Sequence, residues 1–243
     1  MQLIKLDAID STNDFLKALA RSKPLENYTT VLAHQQTNGK GQRGARWLSE
    51  PGSNLIMSVL IQNHRVPTSA VFHLNVAVAI SLLKVLQRYH IPDLSIKWPN
   101  DILSGNQKLG GILIENLIKS DQSWEAVVGI GLNVHQKDFK ELPKATSLYN
   151  ISQQSFGIEQ LAQEIVAECR ENYVYVAQQE VATLWHIYHA HLFRKGVPSA
   201  FELPNGQRFM GKILEVTTEG QLVLEDEWET IRHFDLKEIQ LLY

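Results

Sequence analysis

The first residues of the sequence that could do chemistry are the cations of a glycine-rich stretch, TNGKGQRGARW, at positions 37–47. Gly39, Gly41 and Gly44 have the spacing G-x-G-x-x-G, which elsewhere marks a dinucleotide-binding turn. That turn leads from a strand into a helix, whereas a loop and then an apolar strand follow these glycines. No Gly-Lys-Ser/Thr sequence closes the stretch, so it is not a phosphate-binding P-loop either. Both familiar nucleotide motifs are therefore excluded.

A connection without hydrophobic periodicity surrounds these glycines, from residue 37 to residue 53, and carries Lys40, Arg43 and Arg46. Connections of this length in compact domains are commonly lids or binding loops, or else disordered segments. The glycines allow the backbone to approach an anion closely, and the cations supply positive charge. Two interpretations stay open at this point, an anion-binding loop and a mobile loop without special chemistry.

Three later stretches place single polar groups among apolar residues and glycines. KWPNDI ends a strand and presents Asp101 as a loop carboxylate, a hard oxygen ligand suited to Mg²⁺ on phosphate, although Pro-Asn-Asp is also an ordinary turn sequence. KLGGILIE places Lys108 just before two adjacent glycines, which let another group approach the strand backbone. GIGLNV repeats this arrangement with Asn133. Core packing explains any one of the three, but all three together with a cationic loop favour a ligand site.

Changes in hydrophobic periodicity predict the elements that position these residues. Ser11 is expected to cap the first helix, with Asp14 three residues further on as a capping-box acid. The predicted elements are strands at 3–9, near 29–36, and at 54–61, 94–98, 108–118 and 124–134, with helices from 11, at 69–89 and, in one or two pieces, at 158–193.

The character of the sequence changes near Arg194. Short strands and the turn sequences PNGQ and TEGQ follow, and Asn-Gly between apolar alternations is a strong hairpin signal. We predict a domain boundary there, with a small C-terminal β-barrel that is marginal alone and packs against the larger domain.

Composition limits the class of protein. The chain has 243 residues, 44% of them hydrophobic, and 23 Lys and Arg against 26 Asp and Glu give a net charge of −3. No overall basic field therefore draws it to nucleic acid or to an anionic membrane. One cysteine, Cys169, excludes an internal disulfide and is expected to be buried in a helix. The start of the sequence resembles neither a signal peptide nor a transmembrane segment, which predicts a cytoplasmic protein. His186, His189 and His191 lack a cysteine or carboxylate to complete a zinc site.

Five stretches, in this order, resemble the biotin protein ligases, enzymes that use ATP to attach biotin to a carrier protein. KWPND followed by KLGGIL is the most specific part, and the resemblance spans nearly the whole chain. It implies an α+β fold, with a class II synthetase-like catalytic domain of mixed β-sheet and helices at 1–193 and a C-terminal SH3-like β-barrel at 194–243. The stretches are DSTN (10–13), QTNGKGQRGARW (36–47), KWPND (97–101), KLGGIL (108–113) and GIGLNV (129–134).

The resemblance also implies a reaction. The carboxylate of biotin attacks the α-phosphate of ATP, giving biotinyl-5′-AMP and pyrophosphate, and a lysine of the carrier protein then attacks the mixed anhydride. A carboxylate is already ionised at neutral pH, so the first step needs charge stabilisation and alignment more than a general base. A chain rich in Gly, Lys and Arg, with no evident Ser-His-Asp set, fits that need.

Roles follow from the resemblance by matching position. It implies catalytic roles for Lys108, Arg43 and Lys40, and it makes Asp101 the ligand for Mg²⁺. The implied biotin-binding residues are Ser11, Thr12, Asn13, Gln36, Gly39, Lys108, Gly111 and Gly129. The implied nucleotide-binding residues are Lys40, Gln42, Arg43, Arg46, Trp47, Asn54, Asn100 and Asn133.

The glycine-rich stretch departs from the family pattern. Many members have G-R-G-R-x-G-R, whereas Lys40, Gln42 and Ala45 occupy three of the arginine positions here. Gln42 removes a fixed positive charge beside the adenylate, which predicts weaker retention of that intermediate. Lys40 keeps a charge but lacks the planar fork of arginine.

The expected partner is a biotin carboxyl carrier protein, of acetyl-CoA carboxylase or a related enzyme. Only ten residues precede Ser11, so we expect no helix-turn-helix domain and no DNA partner. We expect a monomer or homodimer with no membrane partner. Two alternatives stay open, a lipoate or octanoate ligase on the same fold and a non-enzymatic module that binds biotin or a nucleotide.

Overall fold

The computed structural model describes residues 2–63, 71–118, 124–140 and 142–243, which form two β-sheets and five α-helices. The elements are β1 (Leu3–Ile9), α1 (Thr12–Ser22), β2 (Thr30–Gln36), β3 (Asn54–Asn63), α2 (Val71–Arg88), β4 (Leu94–Lys97), β5 (Asp101–Ser104), β6 (Gln107–Ile118), β7 (Trp124–Asn133), α3 (Leu148–Ser152), α4 (Ile158–Ala177), α5 (Ala182–Ala190), β8 (Ser199–Glu202), β9 (Arg208–Val216), β10 (Leu222–Asp226), β11 (Ile231–Phe234) and β12 (Gln240–Leu242).

The larger sheet has seven strands in the order β1-β2-β3-β7-β6-β5-β4, and the smaller has five in the order β11-β10-β9-β8-β12. Within the larger sheet β1 and β2 are parallel and the remaining pairs are antiparallel. The predicted α+β class with a mixed sheet is confirmed. The described pairings of the C-terminal sheet run from β11 to β12 and leave its two ends unjoined.

Most of the predicted elements form, and the differences concern short ones. The helical segment predicted at 158–193 forms as two helices, α4 and α5. The helix predicted at 69–89 forms as α2, and its first two predicted residues, 69 and 70, lie outside the described residues. Two elements were not predicted, the five-residue α3 and the four-residue β5, because so few residues show no periodicity. The prediction of Asp101 as a loop carboxylate is therefore wrong, since Asp101 is the first residue of β5.

The two faces of the large sheet are covered differently. One face packs with α2, α4 and α5 in the main core, to which β7 contributes Val128, Ile130 and Leu132. On the opposite face α1 forms a small second core in which Leu16 packs with Val127 and neighbouring residues. Because successive side chains of a strand point to opposite faces, Gly129 and Gly131 of β7 belong to the face that α1 only partly covers.

Helix α2 is the hydrophobic centre of the main core. Its length and composition alone would suit a membrane span, but most of its residues are buried against the rest of the protein. Cys169 of α4 is also buried in this core, as predicted. Burial raises the pKa of its thiol to about 12, so the group stays protonated and unreactive at neutral pH.

The N-terminus of α1 holds the predicted cap but not the predicted capping box. Ser11 Oγ accepts a hydrogen bond from the backbone N–H of Asp14 at 3.4 Å. The reciprocal bond is absent because the Ser11 N–H donates to Asp10 Oδ1 at 2.7 Å. The Asp14 carboxylate instead pairs with Lys17, at 2.9 Å, and with Lys40. This acid is therefore free to contact the glycine-rich loop.

Hydrogen bonds of Trp98 and His189 attach the C-terminal sheet to the large domain. Trp98 directly follows β4, and its Nε1–H donates to the carbonyl oxygen of Gly220 at 2.9 Å. The Nε2 atom of His189 lies 3.1 Å from the backbone N of Val216, from which it accepts a hydrogen bond. His189 is thus used in packing α5 against β9, and among the described residues no group of three or more His, Cys, Asp or Glu could hold a metal.

Candidate active site

A row of directly paired residues crosses five strands of the large sheet. Ile56 of β3 is opposite Gly131 of β7, which is opposite Gly111 of β6. Gly111 is in turn opposite Asp101 of β5, and Asp101 is opposite Lys97 of β4. The second and third positions of this row, Gly131 and Gly111, have no side chain, so other groups can approach the backbone of the sheet there.

Trp47 and Lys108 occupy the space above these two glycines. A Cβ atom on Gly131 would lie 2.4 Å from Cε2 of Trp47, and one on Gly111 would lie 3.4 Å from Nζ of Lys108. The Lys108 ammonium is 5.7 Å from the centroid of the Trp47 ring. The indole N–H of Trp47 is buried and has no hydrogen-bond acceptor within the described parts of the chain. The glycines thus place an aromatic ring and a cation side by side on the sheet.

Asp101 holds the Lys108 ammonium in place. Its Oδ1 atom lies 2.6 Å from Lys108 Nζ, and its Oδ2 atom lies 3.6 Å from Lys97 Nζ. An irregularity in the pairing of β5 with β6 lies directly beside Lys108, and such bulges commonly redirect a side chain. The Lys108 side chain keeps 34% of its surface exposed, so an incoming anion can reach its ammonium group.

A chain of polar side chains lies on the α1 side of the same sheet. Ser58 Oγ of β3 is 2.8 Å from Thr12 Oγ1 and 2.6 Å from Asn13 Oδ1. Gln36 Oε1 accepts from the Thr12 backbone N–H at 2.7 Å, and Asn13 Nδ2 donates to Glu115 Oε2 at 2.8 Å. Ser58 and Asn13 are buried, and their mutual bonds fix the direction in which each group can meet a polar ligand.

The glycine-rich loop folds back on itself over this face. Lys40 and Arg46 form an antiparallel bridge, and the Gly41 N–H donates to the carbonyl oxygen of Ala45 at 2.7 Å. Lys40 Nζ lies 2.5 Å from Asp14 Oδ2. Burial raises the pKa of Asp14, but hydrogen bonds from Lys40 and Lys17 outweigh it, so the net effect is a lowered pKa. The ionised carboxylate therefore ties the loop to α1.

We predict that biotin together with ATP protects residues 37–53 from limited proteolysis. The tie through Lys40 is a single, partly exposed ion pair, which contributes little on its own, whereas a bound anion would engage several loop donors at once. Trypsin should cut after Lys40 or Arg46 in the free protein, and cleavage should slow at least severalfold with both ligands. Cleavage after the exposed Lys140 is the internal control. Equal cleavage of the loop with and without ligands would show that it is already rigid.

These elements enclose a cavity of about 260 Å³ on the α1 face of the sheet. Most of the residues assigned to a site from the sequence line it. They are Ser11, Thr12, Asn13, Gln36, Lys40, Gln42, Arg46, Trp47, Asn100, Asp101, Lys108, Gly111 and Gly129.

Of the other four assigned residues, three do not line this cavity in the described structure. Gly39 lies in the first part of the loop, away from this cavity, where a Cβ atom would be 2.4 Å from the carbonyl oxygen of Trp47. Asn54 and Asn133 are buried opposite each other on β3 and β7. Their amide nitrogens donate to other parts of the chain, Asn54 Nδ2 to Gln136 Oε1 at 2.6 Å and Asn133 Nδ2 to the carbonyl oxygen of Thr146 at 3.0 Å. The side chain of Arg43, the fourth, lies outside the described part.

Four further residues belong to the site but were not assigned to it from the sequence. Ser58 and Glu115 hold the polar chain, Gly131 seats Trp47, and Asp14 holds Lys40. Two signals could have found them. Ser58 is the one hydroxyl in the apolar run NLIMSVLI, and Gly131 follows Gly129 at the two-residue spacing that places both glycines on one face of a strand.

The sequence was compared with known families and structures. Residues 6–133 match the model of the Biotin/lipoate A/B protein ligase family. The chain belongs to this family. Among its members, the Bifunctional ligase/repressor BirA of Bacillus spizizenii is 31% identical over 98% of the chain and 74% of the relative. The Biotin--[acetyl-CoA-carboxylase] ligase of Mycobacterium tuberculosis is 30% identical over 91% of the chain and 82% of the relative.

A solved structure of another ligase has the same fold. The Biotin protein ligase from Aquifex aeolicus in complex with biotin and ATP superposes with a TM-score of 0.80 at 24% identity, covering 99% of the chain and 98% of that structure. The coverage includes the C-terminal sheet, so this member of the biotin/lipoate ligase family shares both parts of its architecture with that enzyme.

Proposed function

We propose that the chain is an ATP-dependent biotin protein ligase, which activates biotin as biotinyl-5′-AMP and transfers it to a lysine of a carrier protein. Its relatives over most of its length are named as ligases of this kind. The observation that carries the proposal is the placement of Lys108 on Gly111, paired with Asp101, in one cavity with the polar groups of Ser11 and Asn13.

The first step joins two anions, and Lys108 is the group that makes this possible. In the free protein its ammonium is neutralised by Asp101. When the ligands bind, Lys108 lies between the biotin carboxylate and the α-phosphate and reduces their repulsion. A carboxylate oxygen forms a bond to the α-phosphorus while the bond to the bridging oxygen breaks, and pyrophosphate leaves with that electron pair. No proton has to move in this step.

The second step is an acyl transfer to an amine. The neutral ε-amino group of the carrier lysine attacks the carbonyl carbon of biotinyl-5′-AMP, an amide bond forms, and AMP leaves with the electrons of the acyl–oxygen bond. The nitrogen then loses a proton to solvent. Until the carrier arrives, Trp47 and the loop from residue 37 to residue 53 exclude water from the anhydride.

We propose the following roles for the residues assigned to the site. We assign Ser11, Thr12, Asn13, Gln36, Gly111 and Gly129 to biotin, with Gly39 shaping the loop behind it. We assign Lys40, Gln42, Arg43, Arg46, Trp47 and Asn100 to the nucleotide. We assign Asn54 and Asn133 to the nucleotide side of the site indirectly, because their hydrogen bonds hold the neighbouring backbone in place.

A single carboxylate is the donor set expected for Mg²⁺ that arrives on the phosphates of ATP, because this ion keeps several waters and takes few protein ligands. Asp101 is the residue that would hold it, on the oxygen atoms that now face two ammonium groups. When bound, the ion would neutralise charge on the polyphosphate.

The wider setting of the reaction is also part of the proposal. The carrier is a biotin carboxyl carrier protein of the acetyl-CoA carboxylase type, in keeping with the name of the relative from Mycobacterium tuberculosis. We propose a cytoplasmic monomer or homodimer without DNA or membrane partners. We further propose that the catalytic domain ends at residue 193, between α5 and β8, and that residues 194–243 form the second domain.

Acid-dependent ATP–pyrophosphate exchange tests the function. Biotin should support exchange at least tenfold better than lipoate or octanoate at equal concentration. Preference for lipoate or octanoate would assign the alternative ligase activity. Biotin binding without any exchange, measured with MgATP present, would leave only a binding module.

We predict that Gln42→Arg retains the adenylate longer than the natural sequence does. Gln42 lines the cavity without a charge, and charge-assisted hydrogen bonds are roughly twice as strong as neutral ones. Diffuse biotinylation of a bystander protein, measured with biotin and MgATP, should fall severalfold in the variant. Gln178→Arg, at the exposed end of α4, adds the same charge away from the site and should change nothing. Equal labelling by all three proteins would show that the other loop cations suffice.

A further inference from the structure

The ring of Tyr243 reaches from the C-terminal sheet to the large domain. Tyr243 follows β12, and its ring packs edge-on against Phe193 with the centroids 5.2 Å apart. Two ammonium groups lie near the ring centroid, Lys144 Nζ at 4.2 Å and Lys97 Nζ at 5.6 Å. Burial, and then the negative charge of Asp101, raise the pKa of the Tyr243 hydroxyl, so the ring is uncharged at neutral pH.

Each of these lysines also contacts a residue of the active-site ion pair, Lys97 through its ammonium group and Lys144 through its backbone. Lys97 Nζ is 3.6 Å from Asp101 Oδ2, while Lys108 takes the other oxygen at 2.6 Å. The carbonyl oxygen of Lys144 accepts a hydrogen bond from the backbone N–H of Lys108 at 2.7 Å. One aromatic ring therefore contacts the neighbours of Asp101 and of Lys108 at the same time.

The distances around Asp101 indicate a competition. A charge-assisted N–H···O bond has a length of about 2.7–2.9 Å. Lys108 Nζ lies slightly closer than this to the carboxylate, at 2.6 Å, whereas Lys97 Nζ lies well beyond it, at 3.6 Å. The face of an aromatic ring attracts an ammonium group within about 6 Å, and the Lys97 ammonium lies 5.6 Å from the centroid of the Tyr243 ring. The attraction of the ring therefore opposes that of the carboxylate. Without the ring, Lys97 would close on Asp101, which would then lie between two directly bonded cations.

We propose that Tyr243 is a positioning residue for the adenylation step, which restrains Lys97 and Lys144 and so keeps Asp101 and Lys108 available to the nucleotide. The inference rests on the proposed ligase function. It places a residue of the C-terminal sheet in control of the geometry at the centre of the large domain. Tyr243 itself does not contact the Lys108 ammonium in the described contacts.

The test compares Tyr243→Leu with Tyr243→Phe in biotin-dependent ATP–pyrophosphate exchange. Tyr243→Leu removes the aromatic face, and we expect its KM for MgATP to rise roughly fivefold to tenfold, the scale of two cation–π contacts at partly exposed sites. Its KM for biotin should stay within twofold of the wild-type value. Tyr243→Phe keeps the face without the hydroxyl and should restore the KM for MgATP to within twofold of wild type.

A second background separates positioning from simple packing. Lys97→Met removes the competing cation, so adding Tyr243→Leu to it should raise the KM for MgATP by clearly less than Tyr243→Leu does alone. Lys144 is the second lysine that contacts the Tyr243 ring, and Lys144→Met alone should also raise the KM for MgATP. This variant replaces Tyr243→Leu in the test if Tyr243→Leu does not fold. The ¹³C signals of reductively methylated Lys97 and Lys144 should show an upfield ring shift that Tyr243→Leu abolishes and Tyr243→Phe keeps.

The outcomes separate the two proposals. Wild-type protein without exchange overturns the ligase function, and the positioning role with it. If the wild-type protein is active and Tyr243→Leu has the wild-type KM for MgATP, the positioning role alone is overturned. The same holds for Lys144→Met where that variant replaces Tyr243→Leu. A rise in the KM for biotin equal to the rise for MgATP, or no rescue by Tyr243→Phe, also overturns it, because general disruption of the fold would then explain the loss.

Discussion

Lys108→Ala lowers biotin-dependent ATP–pyrophosphate exchange by roughly 10²- to 10³-fold, the scale expected when one preorganised donor to a transition state is removed. Lys108 is the cation that the sheet presents directly above Gly111, where the carboxylate and the α-phosphate must meet. Biotin binding should weaken less than exchange, because the Ser58 and Asn13 contacts do not depend on this ammonium.

A matched substitution controls for the loss of a lysine. Lys212 pairs with Glu225 at 3.6 Å on the C-terminal sheet, and Lys212→Ala should leave exchange unchanged. Thermal unfolding shows whether each variant is folded. Exchange by folded Lys108→Ala within threefold of the wild-type rate would remove Lys108 from the mechanism.

Gly129→Ala lowers the affinity for biotin by roughly 10- to 100-fold. The added Cβ atom would lie 2.4 Å from Asn13 Oδ1 and 3.0 Å from its Cγ atom, so the Asn13 side chain must move. The hydroxyl of Ser58 and the carboxylate of Glu115 then lose a partner, and a polar group left without its buried partner costs about 1–3 kcal/mol. Isothermal titration calorimetry with biotin measures the change.

Gly157→Ala provides the comparison for this variant. Gly157 precedes α4, and a Cβ atom there would come no closer than 3.4 Å to Gln160, which is ordinary van der Waals contact. Its biotin affinity should equal that of the wild type. Unchanged biotin affinity in folded Gly129→Ala would mean that Asn13 does not contribute to the biotin site.

The sequence predicted the long elements well, because α2 and the strands β3, β6 and β7 are long, mostly apolar segments bounded by polar residues and turn sequences. It also indicated a chemical role for Asp101 and Lys108 as isolated charges in their stretches. It did not indicate that these two residues form an ion pair. That pair depends on the register of β5 against β6, which includes a local irregularity, and tertiary pairing sets such a register.

The packing of Trp47 against Gly131 could not be predicted from the sequence either. Its contact with Gly131 joins a loop to a strand more than eighty residues further along the chain. The two strands that frame it, β3 and β7, are adjacent only after the sheet has formed. The family pattern predicts Trp47 as a nucleotide-binding residue. That Gly131 leaves room for its ring on the strand can be recognised only from the three-dimensional structure.

Trp47 also gives the protein a built-in optical reporter. Its indole packs against Gly131 near the Lys108 ammonium, with a buried N–H that has no acceptor among the described residues. Indole emission responds to nearby charge and to hydrogen bonding at that nitrogen, and filling the cavity changes both. Occupancy of the site can therefore be followed by intrinsic fluorescence without a label. The chain has five tryptophans, and Trp47→Phe separates the signal of Trp47 from that of the other four.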